Sequence, residues 1–264
     1  MIISHRHRFI FIHCRKTGGS SIARALASHL GADDLHLGTW PEAYRAGVAP
    51  NRRAKRDLVH PIAGISYLAR MSRNPLRVFK PSHRIDALNG AQRLKYRPAL
   101  GPSPEHPDAQ AIAAWAPQAW QTYYKFCFVR NPYHRVVSDY RWRCHKTGQT
   151  AMSFQQYLRA LDQRDFSSPV IPKQFDNWPM YTIDHRIAVD FVGRFERFES
   201  DVEQVFNQLG LALDTLPHEK KVVASTDYGQ WYGRDERALV ARIFAREIDQ
   251  FDYALNLDNS SCAA

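Results

Sequence analysis

One lysine, two glycines and three hydroxyl side chains are clustered near the start of the chain, in the stretch FIHCRKTGGSSI at 11–22. Gly18 and Gly19 have no Cβ, so the backbone can come close to a ligand there. Lys16 adds a full positive charge, and hydroxyl groups can donate hydrogen bonds to an anion. The hydroxyl residues are Thr17, Ser20 and Ser21. These residue types favour the binding of phosphate or sulfate.

The segments around this cluster would place it at the end of a strand. FIFIH at 9–13 is a short apolar run of β-forming residues. SSIARALASHLG at 20–31 has its apolar residues at helical spacing, with Gly31 at the C-cap position. A glycine-rich turn between a strand and a helix brings backbone N–H groups and the positive end of the helix dipole to one point. The sequence therefore predicts a strand, an anion-binding loop and a helix.

The loop differs from the nucleotide P-loop. In the pattern GxxxxGK[ST], the lysine follows the second glycine, and the next hydroxyl holds magnesium. Here Lys16 precedes both glycines, and no other segment has the P-loop order. A kinase-like phosphotransferase with an atypical P-loop and Mg²⁺ is therefore less favoured, and it stays open as an alternative. A second alternative is a tight turn whose hydroxyl groups only cap the helix.

A second strand-to-helix junction carries an arginine. YYKFCFVR at 123–130 is apolar and β-forming, and NPYHRVVSDYRWR at 131–143 begins a helix with a proline at its first position. Arg130 stands at the carboxyl end of this strand, and Ser138 lies on the helix. Ligands of open α/β sheets bind outside the carboxyl ends of the strands, and arginine can bind a phosphate bidentately. Two such strand ends could hold the two ends of one doubly charged nucleotide.

Structural roles for residues of this junction also remain open. Arg130 could cap the helix or form an ion pair. Arg135 and Asp139 are four residues apart on the predicted helix, and for them we predict a surface ion pair rather than a ligand contact.

The rest of the chain continues the alternation of strands and helices. VDFVGRF at 189–195 predicts a strand, ESDVEQVFNQLG at 199–210 a helix that ends at Gly210, and RDERALVARIFAREIDQFDY at 234–253 one long helix. The region of about 40–119 has a weak pattern and many basic residues, and we interpret it as a basic, Pro-rich elaboration with an irregular connection. The prolines that mark this connection are Pro98, Pro102, Pro104 and Pro107. The alternation predicts an α/β fold with a parallel sheet.

Composition limits the class of protein and its partners. The chain has 264 residues, enough for one domain with a substantial core, and its formal charge of +10 favours acidic partners. Its four cysteines form no CxxC pair, so we expect reduced thiols and no zinc site. Charges interrupt the apolar N-terminus, and no apolar run reaches the ~20 residues of a membrane span. We therefore expect a cytoplasmic protein with no membrane span.

The two junctions resemble motifs of a known family. FIHCRKTGGSSI is similar to the 5′-phosphosulfate loop of sulfotransferases that use 3′-phosphoadenosine 5′-phosphosulfate (PAPS), and FCFVRNPYHRVVSDY at 126–140 is similar to their 3′-phosphate motif. The nearest group is the carbohydrate sulfotransferase type, sulfotransferase family 2. VDFVGRFERFESDVEQVFNQLGL and DYGQWYGRDERALVARIFAREIDQFDY resemble later segments of the family. The resemblance covers residues 9–35 and about 120–255.

The resemblance implies a fold and a reaction. The fold is the α/β sulfotransferase fold, a P-loop-like parallel sheet flanked by helices, in a single domain at 1–255 with a frayed tail at 256–264. The reaction moves the sulfuryl group of PAPS, as co-substrate and with no metal, to a hydroxyl of a carbohydrate acceptor. Basic residues between Arg45 and Lys95 could hold an acidic glycan, and aromatic residues could stack on its sugars. The aromatic candidates are Trp40, Tyr44, Tyr67, Trp115 and Trp120.

The resemblance also assigns roles to individual residues. The 5′ end of PAPS is assigned to Arg15, Lys16, Thr17, Gly18, Gly19, Ser20 and Ser21. Arg130 and Ser138 are assigned to its 3′-phosphate. Cys14 and Arg15 depart from the family, which has a small or apolar residue and a proline there, and the asparagine expected near Glu219 is absent. The residues that could make that contact instead are Lys221, Ser225 and Tyr228.

The reaction also needs charge stabilisation and a base. By analogy with phosphoryl transfer, we expect Lys16 to neutralise charge on the leaving phosphate. In the family, the base for the acceptor hydroxyl is a His or Glu between the two motifs. We favour His83, because a β-forming VFKP segment precedes it and a helical pattern follows it. The alternatives are His60, His106 and Glu105.

A further interpretation is a non-enzymatic protein that binds a polyanion. The charge of +10 and the scattered aromatic residues would suit such a role. The sequence has no helix-turn-helix, zinc-finger or RNP-like signature. We therefore expect no nucleic acid among the partners.

Overall fold

The computed structural model of the protein describes residues 1–148, 152–213 and 228–255. Lys221 and Ser225, two of the candidates for the contact expected near Glu219, lie outside these described residues, as does the predicted tail at 256–264. The described chain forms two compact units. The first holds residues 1–129 and 179–213, and the second holds the remaining described residues.

The secondary-structure elements follow the chain in a regular order. The strands are β1 (Ile2–Ser4), β2 (Phe9–Ile12), β3 (Leu35–His36), β4 (Tyr124–Val129), β5 (Thr182–Ile183), β6 (Arg186–Ile187) and β7 (Phe191–Arg194). The helices are α1 (Gly19–Ala27), α2 (Trp40–Arg45), α3 (Arg52–Asp57), α4 (Pro61–Ser72), α5 (Pro81–Leu100), α6 (Ala109–Trp115), α7 (Pro117–Thr122), α8 (Pro132–Thr147), α9 (Phe154–Gln163), α10 (Trp178–Tyr181), α11 (Phe198–Leu209), α12 (Arg234–Ile243) and α13 (Ala245–Phe251). Short 3₁₀ turns lie at Pro75–Arg77, Phe195–Arg197 and Tyr228–Trp231.

The first unit is built on a sheet with the strand order β3, β1, β2, β4, β7. β2, β4 and β7 are parallel, with Ile12 opposite Cys127 and Val129 opposite Arg194. β1 and β3 extend the sheet at one edge in antiparallel pairings. The predicted α/β class, with a parallel sheet flanked by helices, is confirmed. The short strand β1 was not predicted from the sequence.

Both faces of the parallel strands are buried. Phe11, Phe126 and Phe128 lie in one core with side chains of α1 and α11. Ile10 and Cys127 alternate with them along the strands and are also fully buried. Strands that are buried on both faces have continuous apolar sequences, because neither face meets water. This explains why the segments FIFI and FCFV are recognisable as strands in the sequence.

Helix α1 is shorter than the sequence predicts. It ends at Ala27, with Ser28 rather than Gly31 at the C-cap. The next two N–H groups, of His29 and Leu30, bond to carbonyls only three residues back, so the helix tightens as it ends. The N–H of Gly31 then donates to the carboxylate of Asp34, 2.8 Å away, which turns the chain toward β3.

The predicted irregular connection at about 40–119 is mostly helical, with α2 to α7 in this region. Prolines start helices here: Pro61 and Pro81 occupy the first turns of α4 and α5, where a missing N–H costs no hydrogen bond. Pro98 was predicted to mark irregular chain, yet it lies inside α5. Only the other three prolines of that prediction fall in a loop, between α5 and α6.

Trp40 was predicted as a possible stacking surface for a sugar, and this prediction is wrong. Its side chain is buried in a small core between helices, together with Ile85 and Leu88. Its indole N–H donates to the side-chain oxygen of Gln92 at 2.9 Å. A buried indole satisfies its one donor in this way and stabilises the helical region rather than a ligand.

In the second unit, α8, α9 and α12 share one apolar core. The segment predicted as one long helix is divided at Phe244 into α12 and α13. Phe244 leaves the helical conformation, with φ −116° and ψ 26°. Its ring is buried in that core. Burial of this ring offsets the interruption of the helix, which the apolar spacing alone could not reveal.

The predicted surface ion pair between Arg135 and Asp139 is also wrong. Arg135 is buried and pairs with the buried carboxylate of Glu247 on α13. It also donates to the carbonyl of Phe175 at 3.0 Å. Asp139 instead accepts from Arg143 at 2.7 Å. Arg135 therefore connects α8 to α13 and has a structural role within the second unit.

Candidate functional site

The anion-binding loop predicted from the sequence follows β2 and leads into α1, as expected. Two of its residues have left-handed backbone conformations, Lys16 with φ 62° and Gly18 with φ 81°. This conformation is easy for glycine and costs an L-residue such as lysine about 1–2 kcal/mol. Strained residues of this kind concentrate at ligand-binding sites, where the surrounding fold holds them.

The two glycines of the loop are required by packing as well as by conformation. A Cβ added at Gly18 would lie 2.6 Å from Cε2 of Phe198, and one at Gly19 would overlap the imidazole of His13. The start of α1 therefore rests directly on these rings. The glycines fix the position of the first turn of α1 relative to the end of β2.

The first turn of α1 is equipped for an anion. The carbonyl of Gly18 accepts hydrogen bonds from the N–H groups of Ser21 and Ile22. The N–H groups of Gly19 and Ser20 come earlier in the chain, and the first N–H groups of a helix have no acceptor within the helix. The first turn of α1 carries no acidic side chain, which would compete with a bound anion for the positive end of the helix dipole. Such an N-terminus favours a bound phosphate or sulfate.

The hydroxyl residues of the loop divide into two groups. Thr17 is buried, and its hydroxyl donates to the carbonyl of Cys14 at 3.0 Å. This hydrogen bond stabilises the turn, so the single hydrogen of the Thr17 hydroxyl is not donated to an anion. Ser20 and Ser21 are half-buried on the first turn of α1.

The Arg15 guanidinium lies 3.5 Å from the sulfur of Met180.

His106 lies against the backbone just before the loop. Its Nδ1 is 2.6 Å from the carbonyl oxygen of His13, and the two rings meet edge-on with centroids 4.8 Å apart. A carbonyl oxygen only accepts, so Nδ1 carries the hydrogen and Nε2 keeps the lone pair that can accept a proton. Burial, followed by the charge of Arg15, holds the pKa of His106 well below its usual value. The imidazole is therefore neutral at pH 7.

The other candidates for the base lie elsewhere in the first unit. His83 is half-buried in the first turn of α5, where its backbone N–H donates to the carbonyl of Lys80. His60 is exposed at the N-cap of α4. The carboxylate of Glu105 pairs with Arg93 at 2.8 Å. Of the four candidates, His106 is the one whose described contacts reach the chain segment that forms the loop.

The second junction begins at the same edge of the sheet. β4 is the parallel neighbour of β2, so its carboxyl end points in the same direction, and Arg130 follows its last residue. Asn131 caps α8, because its side chain accepts the N–H of Tyr133 at 3.0 Å. Ser138 lies half-buried farther along α8.

Within the second unit, Arg130 is held by an aromatic partner. Its Nη2 donates to the hydroxyl of Tyr228 at 2.9 Å, and the Tyr228 ring stacks on His134 with centroids 4.1 Å apart. Burial, followed by the charge of Arg130, lowers the pKa of His134 to about 4. Tyr228 is one of three open candidates in the sequence, whereas His134 is not among the predicted site residues. It lies in the first turn of α8, four residues after Arg130, and this closeness in the sequence was the signal that could have identified it.

Among the residues that the structure describes, no group of three or more His, Cys, Asp or Glu side chains could hold a metal ion. In the same part of the chain, no helix combines the length and the apolar character needed to cross a membrane.

Comparisons with known proteins show which proteins this chain is similar to. The model of the sulfotransferase family (Sulfotransfer_2) matches residues 1–254, which include both units. An uncharacterized protein of Archaeoglobus fulgidus is 30% identical over 92 residues, which are 34% of this chain and 69% of that protein. A crystal structure of a sulfotransferase from Alicyclobacillus acidocaldarius is 18% identical, with a TM-score of 0.44 over 94% of this chain and 96% of that one. The family match confirms the predicted enzyme class, and the chain belongs to the sulfotransferase family.

Proposed function

We propose that this sulfotransferase uses PAPS as its donor and a carbohydrate hydroxyl as its acceptor. The observation that carries the proposal is the turn from Lys16 to Ser21, which presents the N-terminus of α1 with no acidic side chain in its first turn. Sulfuryl transfer follows from the family. The identity of donor and acceptor rests on the resemblance of the two motifs together with the geometry of each.

In the first motif, the loop binds the phosphosulfate end of the donor. The N–H groups of Gly19 and Ser20 and the hydroxyls of Ser20 and Ser21 bind its oxygens, as helix N-termini bind phosphate groups. Gly18 keeps the turn in its left-handed conformation, and Thr17 braces it through Cys14. Arg15 adds positive charge next to the turn. Lys16 stabilises the charge of the leaving phosphate.

In the second motif, Arg130 and Ser138 bind the 3′-phosphate of the donor. A guanidinium matches a phosphate with two parallel hydrogen bonds, which a lysine cannot provide. The hydroxyl of Tyr228 positions the Arg130 guanidinium through the hydrogen bond of 2.9 Å. This contact supports a positioning role for Tyr228.

The reaction is an in-line displacement at sulfur. The acceptor oxygen forms a bond to sulfur while the bond between sulfur and the bridging oxygen breaks, and the electron pair of that bond goes to the 5′-phosphate. The proton of the acceptor hydroxyl passes to a base. A lysine ammonium can neutralise the leaving phosphate, so the residues of the site require no metal in this step.

The structure supports His106 as the base more strongly than His83. The hydrogen bond of Nδ1 to the His13 carbonyl fixes the tautomer in which Nε2 accepts a proton. His83 is the base that the sequence favours. The two histidines are therefore the variants to compare.

Replacing His106 by Gln is expected to lower kcat by about 10²–10⁴-fold, while His83→Gln leaves kcat nearly unchanged. The Gln amide can still donate to the His13 carbonyl, so the loop is preserved. Because the pKa of His106 is depressed, the base stays deprotonated as the pH falls, and the acid limb of kcat should lie below ~6.5, the reference pKa of histidine. Loss of activity in His83→Gln together with full activity in His106→Gln would assign the base to His83.

The function is tested by transfer of labelled sulfate from PAPS. The wild-type protein is incubated in EDTA with glycans that carry uronic acid or sulfate and with neutral glycans. Label should appear in a glycan, and the acidic glycans should be preferred, because the chain has a formal charge of +10. Transfer to phenols or steroids but to no glycan would exclude the carbohydrate acceptor. Transfer that stops in EDTA would exclude the metal-free step.

A further inference from the structure

The helix α4 and the residues on either side of it expose an apolar surface that the fold does not use. The exposed residues are Val59 (81%), Ile62 (51%), Ile65 (69%), Leu68 (67%), Leu76 (90%) and Phe79 (84%). Single exposed apolar residues are ordinary, whereas a contiguous group is typical of a binding surface. We name this group the α4 apolar surface.

The α4 apolar surface is distinct from the side of α4 that stabilises the fold. Ala63 and Met71 are buried, and Tyr67 packs against the core between helices. These residues recur at helical spacing and face inward. Ile65 and Leu68 lie on the outer side, where a helix of a globular protein normally carries polar residues. The apolar character of this outer side is therefore not explained by the packing of α4 in the first unit.

The chain segment that carries the α4 apolar surface has charges of one sign. Residues 59–84 contain five Lys and Arg and no Asp or Glu. The basic residues are Arg70, Arg73, Arg77, Lys80 and Arg84. All except the half-buried Arg70 are exposed. Arg84 donates to the carbonyl of Val78 at 2.9 Å, which ties the turn to the start of α5. Within this segment, exposed apolar side chains thus occur together with positive charges and with no negative charge.

We propose that this face docks on an anionic lipid bilayer. Helices with Lys and Arg beside exposed Leu, Ile and Phe lie in the membrane interface, where the apolar side chains enter the acyl region and the cations meet anionic headgroups. The arrangement fits a bilayer better than the other occupants. A second copy placed on the same face would bring positive charge against positive charge. A glycan would offer no acyl chains to side chains such as Ile65 and Leu68.

The test measures sedimentation of the full chain with vesicles of phosphatidylcholine alone and of phosphatidylcholine mixed with phosphatidylglycerol. The wild-type protein should bind the mixed vesicles at least about tenfold more tightly, and high salt should weaken this binding. The affinity of the variant Arg73→Gln/Arg77→Gln for the mixed vesicles should fall about fivefold for each charge removed. The affinity of the variant Ile65→Ser/Leu68→Ser/Phe79→Ser should fall at least about tenfold, although its net charge is unchanged.

Matched controls come from another exposed part of the first unit. Ile187→Ser and Arg186→Gln change the same residue types on β6, and neither should alter vesicle binding. Because the triple variant changes exposed side chains, its thermal unfolding midpoint should equal that of the wild type. In a second measurement, the tryptophan emission of a Phe79→Trp variant is compared with that of the wild type. The emission of the added tryptophan should shift to shorter wavelength with the mixed vesicles and not with phosphatidylcholine alone.

Three outcomes would overturn the proposal. The first is a wild-type protein that does not bind the mixed vesicles, which would leave an acidic protein or glycan as the partner. The second is a triple variant that binds as tightly as the wild type. The third is a wild-type dimer in light scattering that the triple substitution converts to a monomer, because the face would then join two copies. None of these measurements depends on catalysis, so they can fail independently of the proposed function.

Discussion

Replacing Lys16 with Met is expected to lower kcat for sulfuryl transfer from PAPS by about 10²–10³-fold, as the loss of one oxyanion-stabilising donor does in other enzymes. Methionine keeps an unbranched side chain but removes the charge. The left-handed backbone at this position, with φ 62°, is equally unfavourable for both residues, so the substitution adds little strain. The effect therefore reports on the charge at the leaving phosphate.

The measurement is steady-state transfer of labelled sulfate, with kcat and KM determined separately. Lys55→Met is the matched control, because it removes the same charge from an exposed position on α3. The control should keep the wild-type kcat. If Lys16→Met raises KM and leaves kcat unchanged, Lys16 binds the donor without stabilising the transition state, and its proposed catalytic role is wrong.

Breaking the buried ion pair of Arg135 and Glu247 is expected to give the largest loss of stability. Both side chains are almost completely buried, at 5% and 2% exposure. Removal of one partner leaves an uncompensated charge in the interior, which typically costs 3–5 kcal/mol of unfolding free energy. Arg135→Met should therefore destabilise the protein by about this amount. The double variant Arg135→Met/Glu247→Leu should recover most of it, because neither charge is then left alone.

Urea unfolding of these variants provides the measurement, with the midpoint and slope compared between them. Arg242→Met is the control, because its partner Asp162 lies at the surface and the exposed pair contributes little. The midpoint of the control should stay close to that of the wild type. Equal loss in the single and double variants would show that shape complementarity, and not the unpaired charge, accounts for the destabilisation.

The features that could be predicted from the sequence depend on patterns of neighbouring residues. FIFI and FCFV are apolar on both faces, so the parallel strands were evident. Pro132 at the start of α8 and the left-handed Gly210 at the end of α11 mark helix ends through their own backbone preferences. The loop at Gly18 and Gly19 combines residue types that serve one kind of ligand. In each case the information lies within a few neighbouring residues.

The features that could not be predicted depend on contacts between distant parts of the chain. His106 reaches the His13 carbonyl across 93 residues, and Arg135 reaches Glu247 across 112. Nothing in the spacing near either residue identifies such a partner. The burial of Trp40 and the helix break at Phe244 likewise follow from the shape of a core formed by several segments. The tertiary environment overrides the local pattern at these positions.

The most direct test of the central claim, a donor site for PAPS that works without a metal, is calorimetric titration of the protein in EDTA. Adenosine 3′,5′-bisphosphate, which carries the two phosphates of the donor, should bind with a stoichiometry of about one and more tightly than ATP. Addition of Mg²⁺ should leave its affinity unchanged. Tighter binding of ATP that requires Mg²⁺, with no heat from adenosine 3′,5′-bisphosphate, would contradict the account.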